Sequence, residues 1–297
     1  MPHQDWQHLS RIHHHPRDDR IYFVESTHTY YVDGSSEGNI STTKFIHSFF
    51  PHFDAKAIIQ KMMKSPKWPQ NKNYGKTEKQ IMDEWNANGK QASEAGTAMH
   101  LAIEQFLHGS AHLISEEMKH TAEWRYFQQF WNDCGKDLEP YRMEWEVWTD
   151  PSIKLTGSID GVFRRKSDGK FLIYDWKRCK DIKSDNPFGT GLPPVDHLPD
   201  TNYWHYTLQL NVYKWILETY YNLEVADLFL VILHPENKSY KRMRLNILAD
   251  EVSQMIDARK RAVADGCKQA VILPIPAEHH DADEDDEPVS NNCLIRT

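Results

Sequence analysis

The sequence predicts a mixed α/β fold of the α+β kind, a mixed central sheet flanked by helices with an N-terminal hairpin and helical extension. Three observations predict it. Residues 142–149, 155–165 and 171–176 read as strands divided by Asp150-Pro151-Ser152 and Ser167-Asp168-Gly169, an antiparallel meander. Segments of helical period lie before and after the meander. A continuous apolar run at 228–233 then suits a buried strand.

Composition sets the outer limits. With 297 residues, 39% hydrophobic and 12% aromatic, the chain can bury one substantial core, or one core and a small lobe, which excludes a fully disordered chain. No run approaches the roughly 20 apolar residues of a spanning helix, and the first residues lack the apolar core of a signal peptide. A soluble, intracellular protein with no membrane partner is expected, its compartment left open. Cys134, Cys179, Cys267 and Cys293 stand far apart without CxxC spacing, so neither a disulfide framework nor a cysteine-ligated zinc or iron-sulfur site is indicated. The net charge is -8, yet residues 278–287 hold seven acidic residues and no Lys or Arg, and the rest carries -1. A near-neutral body leaves room for a local basic surface, so acidity does not exclude DNA or RNA as a partner.

Residues 1–20, rich in charge and including His13, His14 and His15, show no sustained period and are expected to form a flexible lead-in. The 21–95 region begins strand-like, with Thr29, Tyr30, Tyr31 and Val32 before Asp33-Gly34 and an extended piece near 39–42, which suggests a short hairpin. Ser41, Thr42 or Thr43 then caps a helix through Phe45, Ile46 and Phe49 that Pro51 ends, and a second helix follows at 54–64. Lys56, Lys61, Lys64, Lys67, Lys72, Lys76 and Lys79 are opposed only by Glu78 and interleaved with Trp68 and Tyr74. Ammonium groups meet phosphates and aromatic rings stack on bases, so Lys67, Trp68, Lys72, Tyr74 and Lys76 are candidate nucleic-acid contacts, with a solvated loop as the equal alternative.

A long helical stretch from about residue 77 carries Ile81, Trp85, Ala92 and Ala95. Gly96 marks a join to a second segment at 97–107, and 96–273 is read as the core domain. Residues 116–132 read helical before the meander. After it come a Pro- and Gly-rich loop at 186–199, a helix at 206–221, strands at 228–233 and 240–245, and a helix at 249–264. The acidic tail, 274–297, is expected to be disordered.

The chemistry concentrates on the second hairpin of the meander. If its turn is centred between Ser167 and Asp168, Asp160 stands opposite Asp175, with Cβ atoms roughly 4.5 to 5.5 Å apart. A two-residue Asp168-Gly169 turn instead sets Asp160 opposite Lys177, one diagonal step from Asp175. Residues 175 and 177 share parity, so either turn gathers Asp160, Asp175 and Lys177 on one face. Two close carboxylates repel unless a cation lies between them, and hard oxygen ligands suit Mg²⁺ or Mn²⁺. A neighbouring lysine would orient water or stabilise charge developing on a phosphodiester. Glu144 and Glu146, on the preceding strand, are candidates for a further carboxylate, though surface alternation explains them equally well.

In order along the chain come Gly96-Thr97-x-x-His100-x-x-Ile103-Glu104, Gly157-x-Ile159-Asp160, Tyr174-Asp175-Trp176-Lys177 and Gln209-x-x-x-Tyr213. This series resembles the PD-(D/E)XK nuclease superfamily, specifically its RecB-like branch, which includes mitochondrial genome maintenance and large-DNA-virus exonucleases. The resemblance spans residues 96–213 and implies a restriction-endonuclease-like core. It implies His100 as an additional metal ligand beside Asp160 and Asp175, Lys177 as the catalytic lysine, and Gln209 and Tyr213 as supports for that lysine or contacts to a phosphate. Glu104, one turn beyond His100, is a candidate for a second metal or for orienting the imidazole. The cysteines that hold an iron-sulfur cluster in some members are missing, so no cluster is expected. The expectation is therefore a Mg²⁺- or Mn²⁺-dependent deoxyribonuclease, working as an exonuclease on DNA ends or single strands in recombination, repair or genome processing. An RNA endonuclease of the same fold and a non-catalytic nucleic-acid-binding protein are the alternatives. No GxxxxGK[ST] loop appears, so a helicase or other replication or recombination motor would be a separate partner.

Overall fold

The computed structural model describes residues 6–187, 189–266 and 270–271. Its centre is the predicted mixed sheet. Six strands take the order β3-β5-β6-β7-β8, with β4 on the other edge of β5. In chain order these are β3 (Ile40–Ser41), β4 (Leu138–Trp148), β5 (Leu155–Arg165), β6 (Phe171–Lys177), β7 (Val225–Ile232) and β8 (Lys241–Arg244); a separate hairpin joins β1 (Ile21–Val24) to β2 (Thr29–Val32). The meander β4-β5-β6 is antiparallel, β6 and β7 are parallel, and β8 returns antiparallel. A parallel pair needs a crossover. Here the crossover is α7 (Asn202–Tyr220).

Helices cover both faces. On one lie α2 (Thr42–His47), α7 and α8 (Ala249–Ala264), packed with Val162, Ile173, Leu228 and Leu230. On the other lie α4 (Glu78–Leu107) and α6 (Ala122–Cys134), packed with Phe163, Tyr174, Trp176 and Phe229. The in-and-out alternation of β6, with Ile173 to one side and Tyr174 and Trp176 to the other, is what lets one strand serve both cores. The β5-β6 turn settles the register. Arg165 N–H donates to the Lys170 carbonyl, Gly169 takes a φ of +76°, and the ladder runs from Arg164–Phe171 to Gly161–Tyr174, where it ends just short of Asp160.

Several expectations are corrected. Residues 6–20 are docked rather than flexible: α1 (His8–Ile12) buries Leu9, and Asp18 meets Arg142 of β4 at 2.5 Å while accepting from Trp145 Nε1 at 2.9 Å. The His13 ring lies 4.2 Å from that of Tyr141. Strand β2 pairs with β1, and Ile40 and Ser41 instead run parallel to Leu155 and Thr156. α4 passes straight through Gly96, so the expected boundary at 95/96 falls inside a helix. A capping box of Thr77 and Gln80 starts it, and one interior glycine costs only about 1 kcal/mol. The 116–132 segment divides into α5 (Glu116–Lys119) and α6, because the Thr121 side chain caps the Trp124 N–H and starts a new helix. Residues 272–297, with the acidic tail, lie outside the described residues. Among the described residues no helix is long and apolar enough to cross a membrane.

The Asp18–Arg142 pair is nearly fully buried, with side chains 6% and 3% exposed. Removing one partner leaves the other charge unpaired. Asp18→Ala is expected to cost about 3 kcal/mol in urea denaturation, whereas the double change Asp18→Leu with Arg142→Met should cost far less. Equal losses would show that the pair does not anchor the N-terminal segment.

Candidate active site

The site forms where the sheet splits. β5 and β6 pair from Arg164–Phe171 to Gly161–Tyr174, and nearer the start of β5 the partner is β3, which leads directly into α2. At the split, Trp176 N–H donates to Asp160 Oδ2 at 2.9 Å. Alternation changes at the same level. Leu155 and Ile159 pack on the α7 side, yet a Cβ on Gly161 would meet Phe163 and Met143 on the α6 side. β4 switches alongside: Met143 belongs to the α6 side, Trp145 and Val147 to the α7 side. Between Met143 and Trp145 stands Glu144, with a φ of +43°. That left-handed backbone is costly for a residue with a Cβ. The flanking pairs Met143–Gly161 and Trp145–Ile159 frame Glu144 opposite Asp160.

His100 reaches the split from α4. Its Nε2 lies 2.9 Å from the Trp176 carbonyl oxygen, which can only accept, so Nε2 carries the proton. Nδ1 then faces two carboxylates, Glu144 Oε1 at 3.1 Å and Asp160 Oδ2 at 3.6 Å. A neutral imidazole facing two carboxylate anions would be repelled, so the arrangement is met by a cation among the three groups or by a proton on the ring or on a carboxyl. One ligand atom from each of His100, Glu144 and Asp160 lies within 4.8 Å of the others, a set of one nitrogen and two hard oxygens that fits a divalent cation. Burial, and then the Asp175 charge, push Asp160 up to about 7, while His100 and Lys177 pull it down.

Asp175 and Lys177 approach from the α7 face. Lys177 Nζ is 3.0 Å from Asp175 Oδ1 and 2.8 Å from Oδ2, and lies 4.8 Å from the centre of the Tyr206 ring. Asp175 Oδ2 is buried and has no well-aligned hydrogen-bond donor among the described residues. Its counter-charge is the Lys177 ammonium 2.8 Å away, and a divalent ion at the site would share this carboxylate with the lysine. The four-residue spacing of Gln209 and Tyr213 does bring them together: the Gln209 amide donates to Tyr213 OH at 3.4 Å and to Thr43 Oγ1 at 3.3 Å. They tie α7 to α2, and the ring beneath the lysine is that of Tyr206. Burial raises Tyr213 well above the ordinary phenol range. Gly157 is needed here, because a Cβ would lie 2.7 Å from the Tyr213 ring and hydroxyl.

The remaining candidates lie elsewhere. Glu104 accepts from Gln7 at 2.9 Å, sits 3.9 Å from His108 and is outside the three-ligand group. Lys67, Trp68, Lys72, Tyr74 and Lys76 lie between α3 (Ala55–Lys64) and α4, where Trp68 and Tyr74 meet edge to face and Lys76 pairs with Glu84. This lobe leaves the body after α2, which touches Gln209, and returns along α4 to His100, about 33 Å from Glu78 at 1.5 Å per residue. Sequence reasoning left Glu144 undecided and missed Tyr206. Tyr206 was accessible to it, one turn before Gln209 on the face that also carries Tyr213.

No family model and no curated protein matches the sequence. Among solved structures, the chain is similar to the protein SSO0001, at 13% identity and a TM-score of 0.35 over 78% of this chain and 77% of that one. It is also similar to a candidate exonuclease from Eubacterium rectale, at 12% identity and a TM-score of 0.36 over 62% and 77%. At these identities the chemistry has to be read from this chain's own residues.

Two substitutions test the geometry. Gly157→Ala should lower stability by roughly 1 to 3 kcal/mol in thermal denaturation, with part of the loss recovered when Tyr213→Leu is added. Glu144→Gly should be more stable than Glu144→Ala by about 1 kcal/mol, the reverse of an ordinary strand position. An Ala variant at least as stable as the Gly variant would refute the left-handed backbone.

Proposed function

We propose that the chain is a metal-dependent nuclease that hydrolyses phosphodiester bonds of DNA, acting as an exonuclease on ends or single strands. One observation carries this reading: His100, Glu144 and Asp160 converge within 4.8 Å at the sheet split, with the Asp175–Lys177 pair beside them. A lost activity places no demand on five ionisable groups held this closely, which argues against a purely structural or binding role.

His100, Glu144 and Asp160 would hold Mg²⁺ or Mn²⁺, with Asp175 Oδ2 as a further ligand. The ion would supply Lewis acidity toward the phosphate and a water of lowered pKa. The protein supplies the rest. The Trp176 carbonyl fixes the imidazole through Nε2, so that Nδ1 is the ligand atom. Asp175 and the Tyr206 ring keep Lys177 charged and aimed, and its ammonium orients the attacking water or meets charge building on the phosphate oxygens. Tyr213, held neutral by burial, cannot act as a base. The lysines between residues 56 and 79 would contact the backbone of the bound strand, with Trp68 and Tyr74 available for stacking. A helicase, if one is needed to open duplexes, would be a separate protein.

Full-length protein should degrade labelled single-stranded DNA with Mn²⁺ or Mg²⁺ and stop with EDTA. Lys177→Met, Asp160→Asn and Glu144→Gln should each lose on the order of 10²-fold or more in rate while remaining folded by circular dichroism. Calorimetric titration with Mn²⁺ should show binding that His100→Ala weakens. A matched RNA substrate cleaved faster than DNA would favour the ribonuclease reading. No cleavage of either by the wild type with Mn²⁺ would refute the enzyme.

A further inference from the structure

A second basic region lies at the edge of the sheet, away from the lysine lobe. Between Asn237 and Ala249 the chain has Lys238, Lys241, Arg242 and Arg244 and no acidic residue, and all four side chains are exposed. Arg244 is paired with Asp227. Lys238, Lys241 and Arg242 have no ion-pair partner among the described residues. Cations on an edge strand also discourage sheet-to-sheet pairing, but two features here point to a ligand.

The first is how Arg242 is held. Its guanidinium lies 3.8 Å over the Phe229 ring, and its Nε and Nη2 donate to Tyr174 OH at 3.1 and 2.6 Å. The partner is a neutral phenol, so the group is fixed in place with its charge intact. It lines an open groove of about 640 Å³ together with Phe229, Tyr240 and the pair Arg165 and Arg244, both of which are ion-paired to Asp227, leaving Arg242 as the groove arginine without a carboxylate among the described residues. The second is register. Lys177 pairs with Ile232, and Ile232 with Lys241, which puts Lys241 on the face of Lys177 at two strand spacings, about 10 Å. Arg242, the next residue, belongs to the opposite face. The site and the sheet edge therefore each carry cations, with the buried Ile232 between Lys177 and Lys241.

We propose that the β8 edge is a phosphate-binding track for the single strand engaged at the active site, running from Lys177 past Lys241 into the Arg242 groove. This rests on the nuclease reading for its ligand. The groove then sets a footprint longer than the few nucleotides at the cleaved bond, and it makes long substrates bind better than short ones.

The test uses full-length protein in EDTA and a labelled 30-nucleotide oligo-dT, with affinity measured across a range of salt. Removing three phosphate contacts by the combined changes Lys238→Gln, Lys241→Gln and Arg242→Gln should make the slope of log affinity against log salt shallower by about 2. Affinity near 0.1 M salt should fall on the order of tenfold. Cleavage with Mn²⁺ of the p-nitrophenyl ester of thymidine 5′-phosphate, too short to reach Lys241, should not change. Restoring Arg242 alone should return about a third of the slope. An unchanged slope with a wild-type melting temperature would overturn the track, and concentration-dependent association of the variant by light scattering would then assign the charges to edge protection. Cleavage by wild type with an unchanged slope would sink the track and leave the nuclease reading intact. Track-dependent binding without any cleavage would do the opposite.

Discussion

The site depends on a change of face made by two neighbouring strands at one level. Regular strands would keep Ile159 and Gly161, or Met143 and Trp145, on one side of the sheet. Here each pair divides between the two cores, and the divide runs through Asp160 and Glu144. Glu144 takes a left-handed backbone to allow it, at a cost of about 1 to 2 kcal/mol. β6 stays regular, so Asp175 and Lys177 arrive from the α7 face while His100 comes through the split from α4. Charges from both faces thus meet at a point that neither face reaches alone. Strain that the surrounding structure overrides is a frequent mark of a working site.

What overrides it is visible around β4. The strand has β5 on one edge, and the N-terminal segment holds it from outside. Arg17 lies 3.7 Å over the Trp148 ring and donates to the Trp148 carbonyl, and Asp18 joins Arg142 and Trp145. These contacts flank Glu144 on both sides along the strand. From the α7 face, Tyr213 lies against Gly157 and Gln209 reaches Thr43, so crossover helix, split strand and α2 are locked together. Substituting residues far from the chemistry in sequence should therefore move the ligand set.

The motifs that were legible are those whose physics is local. A turn at 167–169 suffices to set the hairpin register from Arg164–Phe171 to Gly161–Tyr174, and a period of 3.6 suffices to set Gln209 beside Tyr213. Glu144 was ambiguous because an acidic residue on an alternating strand usually faces water, and nothing in its neighbours announces a left-handed φ. Glu104 shares a helix face with His100, yet Gln7, from a segment expected to be loose, occupies its carboxylate. Gly96 read as a break because glycine weakens helices, but the capped helix on either side outweighs one residue.

By itself the sequence determined the meander and its hairpin register, the shared parity of Asp175 and Lys177, and the helical spacing of Gln209 and Tyr213. Each follows from interactions between residues a turn or a hairpin apart. Only the tertiary structure decided that residues 6–20 brace β4, that Tyr206 lies under the lysine, and that Glu144 joins His100 and Asp160. Those depend on contacts between residues distant in the chain, such as Lys177 to Tyr206, His100 to Glu144 and Arg17 to Trp148. Such contacts form only once two cores have closed on opposite faces of one sheet, and no local pattern encodes where the strands between them will change sides.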